Sequence, residues 1–317
     1  MAAKRVIIDC DPGQDDAVNL LLAMASPDEL DIVGITAVAG NVPLELTERN
    51  ARIICDLAGR QDIPVFAGCD RPLERELVTA ESIHGMTGID GTEVFDPEHA
   101  LESQHAVDWL VATLLAAEPA SITLVPTGPL TNIAAAIRRD ARVLDAVERI
   151  VLMGGAMREG GNVSPSAEFN ILVDPQAADI VFRCGRPITA FGLDVTHQVL
   201  ATRERVAAIA ALDNPAALAT AGMLGFFNRH DMKKYKSLGA PLHDPCTIAW
   251  LLQPALFSLK SCNISVETRS ELTIGHTAID FWGVTDRPVN ADWGYEVDAD
   301  GFFSLLIDRL SRYGESK

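Results

Sequence analysis

Short β-branched runs alternate with longer helical patterns across the first two-thirds of this chain, and this alternation restricts the fold more than any other feature. Val6-Ile7-Ile8 reads as a buried strand, and residues 15–25 read as a helix with Leu20, Leu21 and Met24 on its apolar side. Residues 31–38 form a second strand pattern, followed by a helical one over 43–58. Further strands are expected at 63–67, 122–125, 150–153 and 188–191. Ser103 is placed to cap a helix running to Ala117, and Gly128-Pro129 opens another. Such alternation builds βαβ units and a mainly parallel sheet. Residues 202–235 are helix-rich, a helix should follow His243, and 263–268 and 272–281 have strand character suited to a hairpin or sheet edge. No linker, low-complexity tract or internal repeat interrupts the 317 residues. The expectation is an α/β fold in a single domain over 1–317: a mainly parallel open sheet with flanking helices and a helical and β C-terminal elaboration. Residues 69–100 show little regular pattern, and loops of that length are often functional.

Net charge of −18 disfavours a nucleic-acid partner, whose phosphates would be repelled, while leaving neutral small molecules open. Six scattered cysteines with no CxxC spacing, in a chain that is 48% hydrophobic, read as reduced thiols rather than a disulfide framework. Residues 1–8 contain no signal-peptide apolar region, and no uncharged apolar run reaches membrane-spanning length. A soluble cytoplasmic protein with no membrane partner is expected.

Four carboxylates, Asp9, Asp11, Asp15 and Asp16, crowd into eight residues where the first strand should end and the first helix begin. Ligands of open α/β sheets collect at the carboxyl ends of strands. Acids crowded this closely call for positive compensation, and a hard divalent cation with oxygen ligands is the natural partner. Asp15 and Asp16 would also suit a helix N-terminus by capping and dipole interaction, but that leaves Asp9 and Asp11 without a role. The run is not an EF-hand loop, because the twelfth position from Asp9 is Leu20.

Other strand ends carry further polar groups. Asn41 follows the second strand, and Thr127 follows Leu124-Val125-Pro126. Asn162, Glu168 and Asn170 share one loop, where amide and carboxylate groups can meet a sugar's hydroxyls as donors and acceptors. Asp244, in His243-Asp244-Pro245, is a further metal ligand or a helix N-cap, and His84 lies in the long loop. Each alone also suits an ordinary turn or cap; their combination carries the weight.

With these residues in view, the chain resembles the inosine–uridine-type nucleoside hydrolase family. Asp9-x-Asp11-x-Gly13-x-Asp15-Asp16 matches its DxDxGxDD signature. Ala39-Gly40-Asn41, Ile83-His84-Gly85, the run from Thr127 through Asn132, Met153-Gly154-Gly155, the stretch from Asn162 through Asn170, and His243-Asp244-Pro245 follow in family order. The resemblance implies a calcium ion held by Asp11, Asp16, the Thr127 carbonyl and Asp244. It implies a ribose gripped by Asp15, Asn41, Asn162, Glu168 and Asn170, with Asp9 supporting the ligands from behind. The implied reaction is hydrolysis of the N-glycosidic bond to ribose and free base. Asp11 would be general base toward a calcium-activated water, and His243 would protonate or hydrogen-bond the departing base, with His84 nearby.

On a helix, Phe227, Asp231 and Tyr235 share one face. A tyrosine eight residues before the His-Asp pair resembles the pyrimidine-preferring members, which points to uridine and cytidine, with a purine or broad-specificity hydrolase as the alternative. The family also implies a homo-oligomer, a dimer or tetramer. Two rivals come from other classes. A phosphatase of the haloacid-dehalogenase type also begins with a strand ending in Asp-x-Asp, but Pro12-Gly13 and the Asp15-Asp16 pair do not suit it. A non-catalytic nucleoside binder would keep the ligands without the reaction.

Overall fold

Strand β1 (Lys4–Cys10) is buried on both faces from Val6 onward: Val6, Ile8 and Cys10 enter one hydrophobic cluster and Ile7 the other. Two-sided burial explains a continuous apolar run in place of alternation. The computed structural model describes residues 3–235 and 238–314, the side chains of 228–235 excepted. After β1 come β2 (Leu30–Ala37), β3 (Val65–Ala67), β4 (Leu101–Glu102), β5 (Ile122–Pro126), β6 (Val147–Met153) and β7 (Ile188–Phe191). The later strands are β8 (Leu200–Thr202), β9 (Gly239–Pro241), β10 (Phe257–Cys262), β11 (Ile264–Val266), β12 (Thr277–Ile279) and β13 (Ala291–Val297). The helices of the first half are α1 (Gln14–Met24), α2 (Leu44–Leu57), α3 (Glu81–His84), α4 (Ala106–Ala116) and α5 (Thr131–Arg139). Then follow α6 (Phe169–Val173), α7 (Pro175–Phe182), α8 (Leu193–Thr196), α9 (Arg203–Ala210), α10 (Pro215–Tyr235), α11 (Pro245–Leu252) and α12 (Ala299–Ser311).

Nine strands make the main sheet in the order β10-β13-β7-β6-β5-β1-β2-β3-β4. All neighbours are parallel except β10 and β13. Helix α1 packs with α2, α10, α11 and α12, while α4, α5 and α7 pack together. From β1 the chain winds outward through β2 to β4, then returns to β5 on the other side and winds the opposite way. The crevice between the carboxyl ends of β1 and β5 is therefore the topological switch point, where sheets of this kind bind ligands. This is the expected single α/β domain with a mostly parallel sheet.

Several boundaries differ from expectation. Ser103 does not cap α4; His105 does, its Nδ1 accepting the Val107 N–H at 3.2 Å. Of residues 272–281 only Thr277–Ile279 pair, with Ile264–Val266, because 270–276 is taken up by a turn. In it Thr273 donates to the Ser270 carbonyl, His276 to that of Thr273, and Gly275 sits at φ +79°. The edge strand β10, its neighbour β13 and helix α12 extend the sheet and its cover beyond what the residue patterns suggested. All six cysteines are free thiols, four of them buried. Among the described residues no helix is long and apolar enough to cross a membrane.

Candidate active site

The floor of the site forms where β1 ends. The chain turns through Asp11-Pro12-Gly13 and enters α1, for which Gly13 is the N-cap. Asp16, at the third position of that helix, accepts the Gly13 N–H at 3.2 Å, satisfying an amide that a helix start leaves free. Its other oxygen accepts the Thr127 hydroxyl at 2.7 Å. Thr127 is in place because β5 pairs with β1: its N–H donates to the Asp9 carbonyl at 2.8 Å.

Asn41, after β2, joins two acids. Its N–H donates to Asp11 Oδ2 at 2.7 Å, and its side-chain amide to the Asp11 carbonyl at 3.1 Å and to Asp16 Oδ2 at 3.3 Å. Gly40 and Gly128 close on the Asp11 carboxylate so tightly that a Cβ on either would collide with its oxygens. Asp9 lies behind this layer, its Oδ1 accepting from the Thr36 hydroxyl at 2.5 Å and the Asn132 amide at 2.8 Å. Asp244, the N-cap of α11, arrives from far along the chain. Carboxylate oxygens of Asp15, Asp16 and Asp244 lie within 4.8 Å of one another. Asp11 stands beside this triad through Asn41 and is not one of its three members.

Each of these carboxylates is almost wholly removed from solvent. Burial pushes Asp9 and Asp15 up to about 7, and nearby carboxylate charge adds to the rise. Burial, reinforced by neighbouring acids, holds Asp11 and Asp244 well above the usual carboxylate range, and burial also raises Asp16. Asp11 Oδ1 and Asp15 Oδ1 are buried with no hydrogen-bond partner among the described residues. Several acids, orphaned oxygens and a donor set made only of oxygen fit a hard cation, and a buried polar atom without a partner is otherwise costly.

Above this floor is a cavity of about 320 Å³. Asp15, Asn41, Thr127, Asn162, Glu168, Asn170 and Asp244 reach its wall, whereas Asp11 and Asp16 lie beneath it. Glu168 is the N-cap of α6 and accepts three backbone N–H groups, from Gly155, Asn170 and Ile171, at 2.9–3.2 Å. Burial still pushes its carboxyl up to about 7, against the pull of those bonds. Asn170 donates to the Thr127 carbonyl at 2.7 Å, and Asn162 Oδ1 accepts the Phe169 N–H at 3.0 Å.

His84, His243 and Phe227 also line the cavity. His84 Nδ1 lies 2.7 Å from Gln14 Oε1, and the ring stacks on Phe227 at 5.4 Å between centroids. His243 Nδ1 lies 2.7 Å from Thr196 Oγ1. Burial, then the nearby His197 and His84, holds His243 well below the usual imidazole range. Asp231 and Tyr235 are on the last turns of α10, but their side chains lie outside the described residues. The other sequence-predicted residues converge on the cavity or its floor. His197 also lines it and was not foreseen, as do Met153 and Phe169, which fall in stretches matched to the family but were given no role there. A histidine after a four-residue helix has no spacing that would mark it.

Comparison with known proteins follows the same lines. The family described as inosine-uridine preferring nucleoside hydrolase matches residues 6–304. The pyrimidine-specific ribonucleoside hydrolase RihA of Photobacterium profundum is 49% identical over 98% of this chain and 100% of its own length. A plant nucleoside hydrolase structure, PpNRh1, superposes with a TM-score of 0.91 at 33% identity, covering 97% of this chain and 99% of its own. The purine-preferring ribonucleoside hydrolase of Gardnerella vaginalis gives 0.91 at 34% identity, covering 98% and 100%.

Proposed function

Because the chain belongs to the inosine-uridine preferring nucleoside hydrolase family, we propose that it is a calcium-dependent hydrolase of uridine and cytidine, releasing ribose and free base. The observation that carries this reading is the cavity itself, with a floor of buried acids, walls of amides and carboxylates, and a side formed by His84, Phe227 and His243.

Asp11, Asp16, the Thr127 carbonyl and Asp244 would hold the calcium ion: Asp16 and Asp244 share one cluster of carboxylate oxygens, Thr127 lines the cavity, and Asn41 joins Asp11 to Asp16. Bound there, the ion would supply a water of lowered pKa for the attack. Asp15 belongs to the same acid cluster and also reaches the cavity, so it serves the sugar. Asn41, Asn162, Glu168 and Asn170 complete the ribose grip and hold C1′ in a reactive geometry. Their carboxylate and amide oxygens face the positive charge that develops on the sugar. Asp11 takes the proton from the water. Asp9 keeps the floor in place through Thr36 and Asn132. His243 meets the departing base, while His84 and Phe227 stack beside it. Asp231 and Tyr235, from α10, are assigned to the base on sequence grounds.

Pyrimidine preference rests on the 49% identity to a pyrimidine-specific relative, against 34% to a purine-preferring one. A phosphate-bearing substrate fits poorly: Asp15, Glu168 and Asp244 line the cavity, and no Lys or Arg does among the described residues. We take the enzyme to be a cytoplasmic homo-oligomer, a dimer or tetramer. Six free thiols suit a reducing compartment, and Trp282, Val284 and Val289 leave apolar surface exposed for a second copy. The test is a reducing-sugar assay with uridine, cytidine, inosine, adenosine and 2′-deoxyuridine, with and without a calcium chelator. Ribose should appear fastest from uridine and cytidine, hardly at all from deoxyuridine, and not after chelation. No ribose from any riboside would overturn the reading, and activity that survives complete calcium removal would overturn the metal.

A further inference from the structure

His84, His197 and His243 all line the cavity, but they are tied differently. His84 Nδ1 meets the amide oxygen of Gln14, and His243 Nδ1 meets the hydroxyl of Thr196. His197 Nδ1 lies 2.9 Å from a carboxylate oxygen, Glu159 Oε2. An ionised carboxylate only accepts, so Nδ1 carries the proton, and Nε2 is the remaining polar atom of the ring.

The pair joins two parts of the site. Glu159 is in the loop that continues through Asn162 to Glu168, and His197 is the C-cap of α8, directly after the Thr196 that holds His243. The rings of His197 and His243 are 5.8 Å apart. The same loop is fastened to α8 a second time, by the Asp194 carboxylate accepting the N–H groups of Met157 and Arg158 at 2.7 Å each. With side chains 32% and 46% exposed, His197 and Glu159 stand at the rim of the cavity. A pair so exposed adds little to stability, and the Asp194 contacts already fasten the loop. Orientation of the ring toward a ligand is the role left for it.

We propose that His197, held by Glu159, is a specificity residue that receives the outer edge of the base. The proposal rests on the nucleoside hydrolase reading above. In the neutral imidazole, with Nδ1–H directed to Glu159, Nε2 offers a lone pair. Uracil carries an N3–H donor on its edge away from the sugar, and cytosine carries an amino group there, so either pyrimidine has a proton to give. A base held in this way leaves His243 for the side nearer the glycosidic bond.

The test compares uridine with 3-methyluridine, which lacks the N3 proton and adds a methyl group in its place. The unmodified enzyme should favour uridine by at least about tenfold in kcat/KM, the size of one hydrogen bond to a site built for it. His197→Ala should lower uridine turnover by about that tenfold factor while leaving 3-methyluridine within about twofold, so the preference collapses. Glu159→Gln keeps an acceptor for Nδ1 and should shift the preference the same way by a smaller factor. Equal losses on both substrates in His197→Ala would overturn the proposal in favour of a structural role, and a falling melting temperature would accompany them. Unchanged uridine turnover in His197→Ala, or no preference in the unmodified enzyme, would also overturn it. An unmodified enzyme that releases no ribose from uridine is a separate outcome, which removes the hydrolase reading and this proposal with it.

Discussion

The Thr127 hydroxyl donates to Asp16 Oδ1 at 2.7 Å across 111 residues of sequence, tying the end of β5 to the first turn of α1. A hydrogen bond to a buried charged group is worth about 1.5–3 kcal/mol. Thr127→Val keeps the shape, removes that donor and leaves the backbone carbonyl in place. Uridine kcat/KM should fall by about ten- to a hundredfold, with a weaker response to added calcium. Steady-state assays across a calcium titration check this, and full activity at low calcium would count against it.

The acid floor makes the effect of calcium depend on pH. Asp9 and Asp15 rise from 3.8 to about 7 on folding without a cation, through burial first. The metal-free folded state therefore holds protons that the unfolded chain has released. That contribution to stability is complete below about pH 4 and is lost as pH rises through about 7. A cation held by the neighbouring Asp11, Asp16 and Asp244 would favour the deprotonated forms of Asp9 and Asp15 by its charge and so remove this loss. The gain in melting temperature on adding calcium should grow from pH 5 to pH 8. A gain that stays flat or shrinks over that range would contradict the cation site.

Glu168→Gln should destabilise the fold as well as the site. Both carboxylate oxygens of Glu168 accept backbone N–H groups. An amide must turn its own N–H₂ toward at least one of these donors, which costs about 1–3 kcal/mol. Urea unfolding should show that loss, and KM for uridine should rise. Unchanged stability would mean that the cap is dispensable.

Gly40→Ala should act on activity out of proportion to its size, because its Cβ would enter the Asp11 carboxylate. At least about tenfold loss of uridine turnover is expected, on the view that a small misplacement of a reacting group is expensive. Gly225→Ala is the control: among the described residues nothing lies within 4 Å of a Cβ there, and in helix α10 alanine should add up to about 1 kcal/mol of stability. Equal behaviour of the two variants would refute the packing argument around Asp11.

The parts of the molecule that could be read from the chain share one property: their signal is local. Asp11, Asp15 and Asp16 fall between a strand pattern and a helix pattern, and Thr127 and Asp244 each border an element with a clear period. The parts that could not be read depend on partners distant in sequence. His197 takes its meaning from Glu159, 38 residues earlier, and Asp9 its partners from Thr36 and Asn132, 27 and 123 residues later. Strand β10 ends in Lys260-Ser261-Cys262, a sequence with no apolar run, and is held by pairing to β13. His105 in place of Ser103 at the start of α4 reflects a choice between two nearby acceptors that composition does not decide.

Asp244 stands beside Asp16 only because α11 packs on α1, where the Thr247 hydroxyl meets Asn19 across 228 residues. During synthesis the first acids of the cluster leave the ribosome long before the last one exists. A nascent chain that has folded β1 to β7 carries a partial acid pocket without its final oxygen donor. Tight capture of the proposed calcium ion would thereby be deferred until α11 has docked on α1. Ion uptake on refolding would then report the docking of α11, with truncations before residue 244 expected to fail to take up calcium.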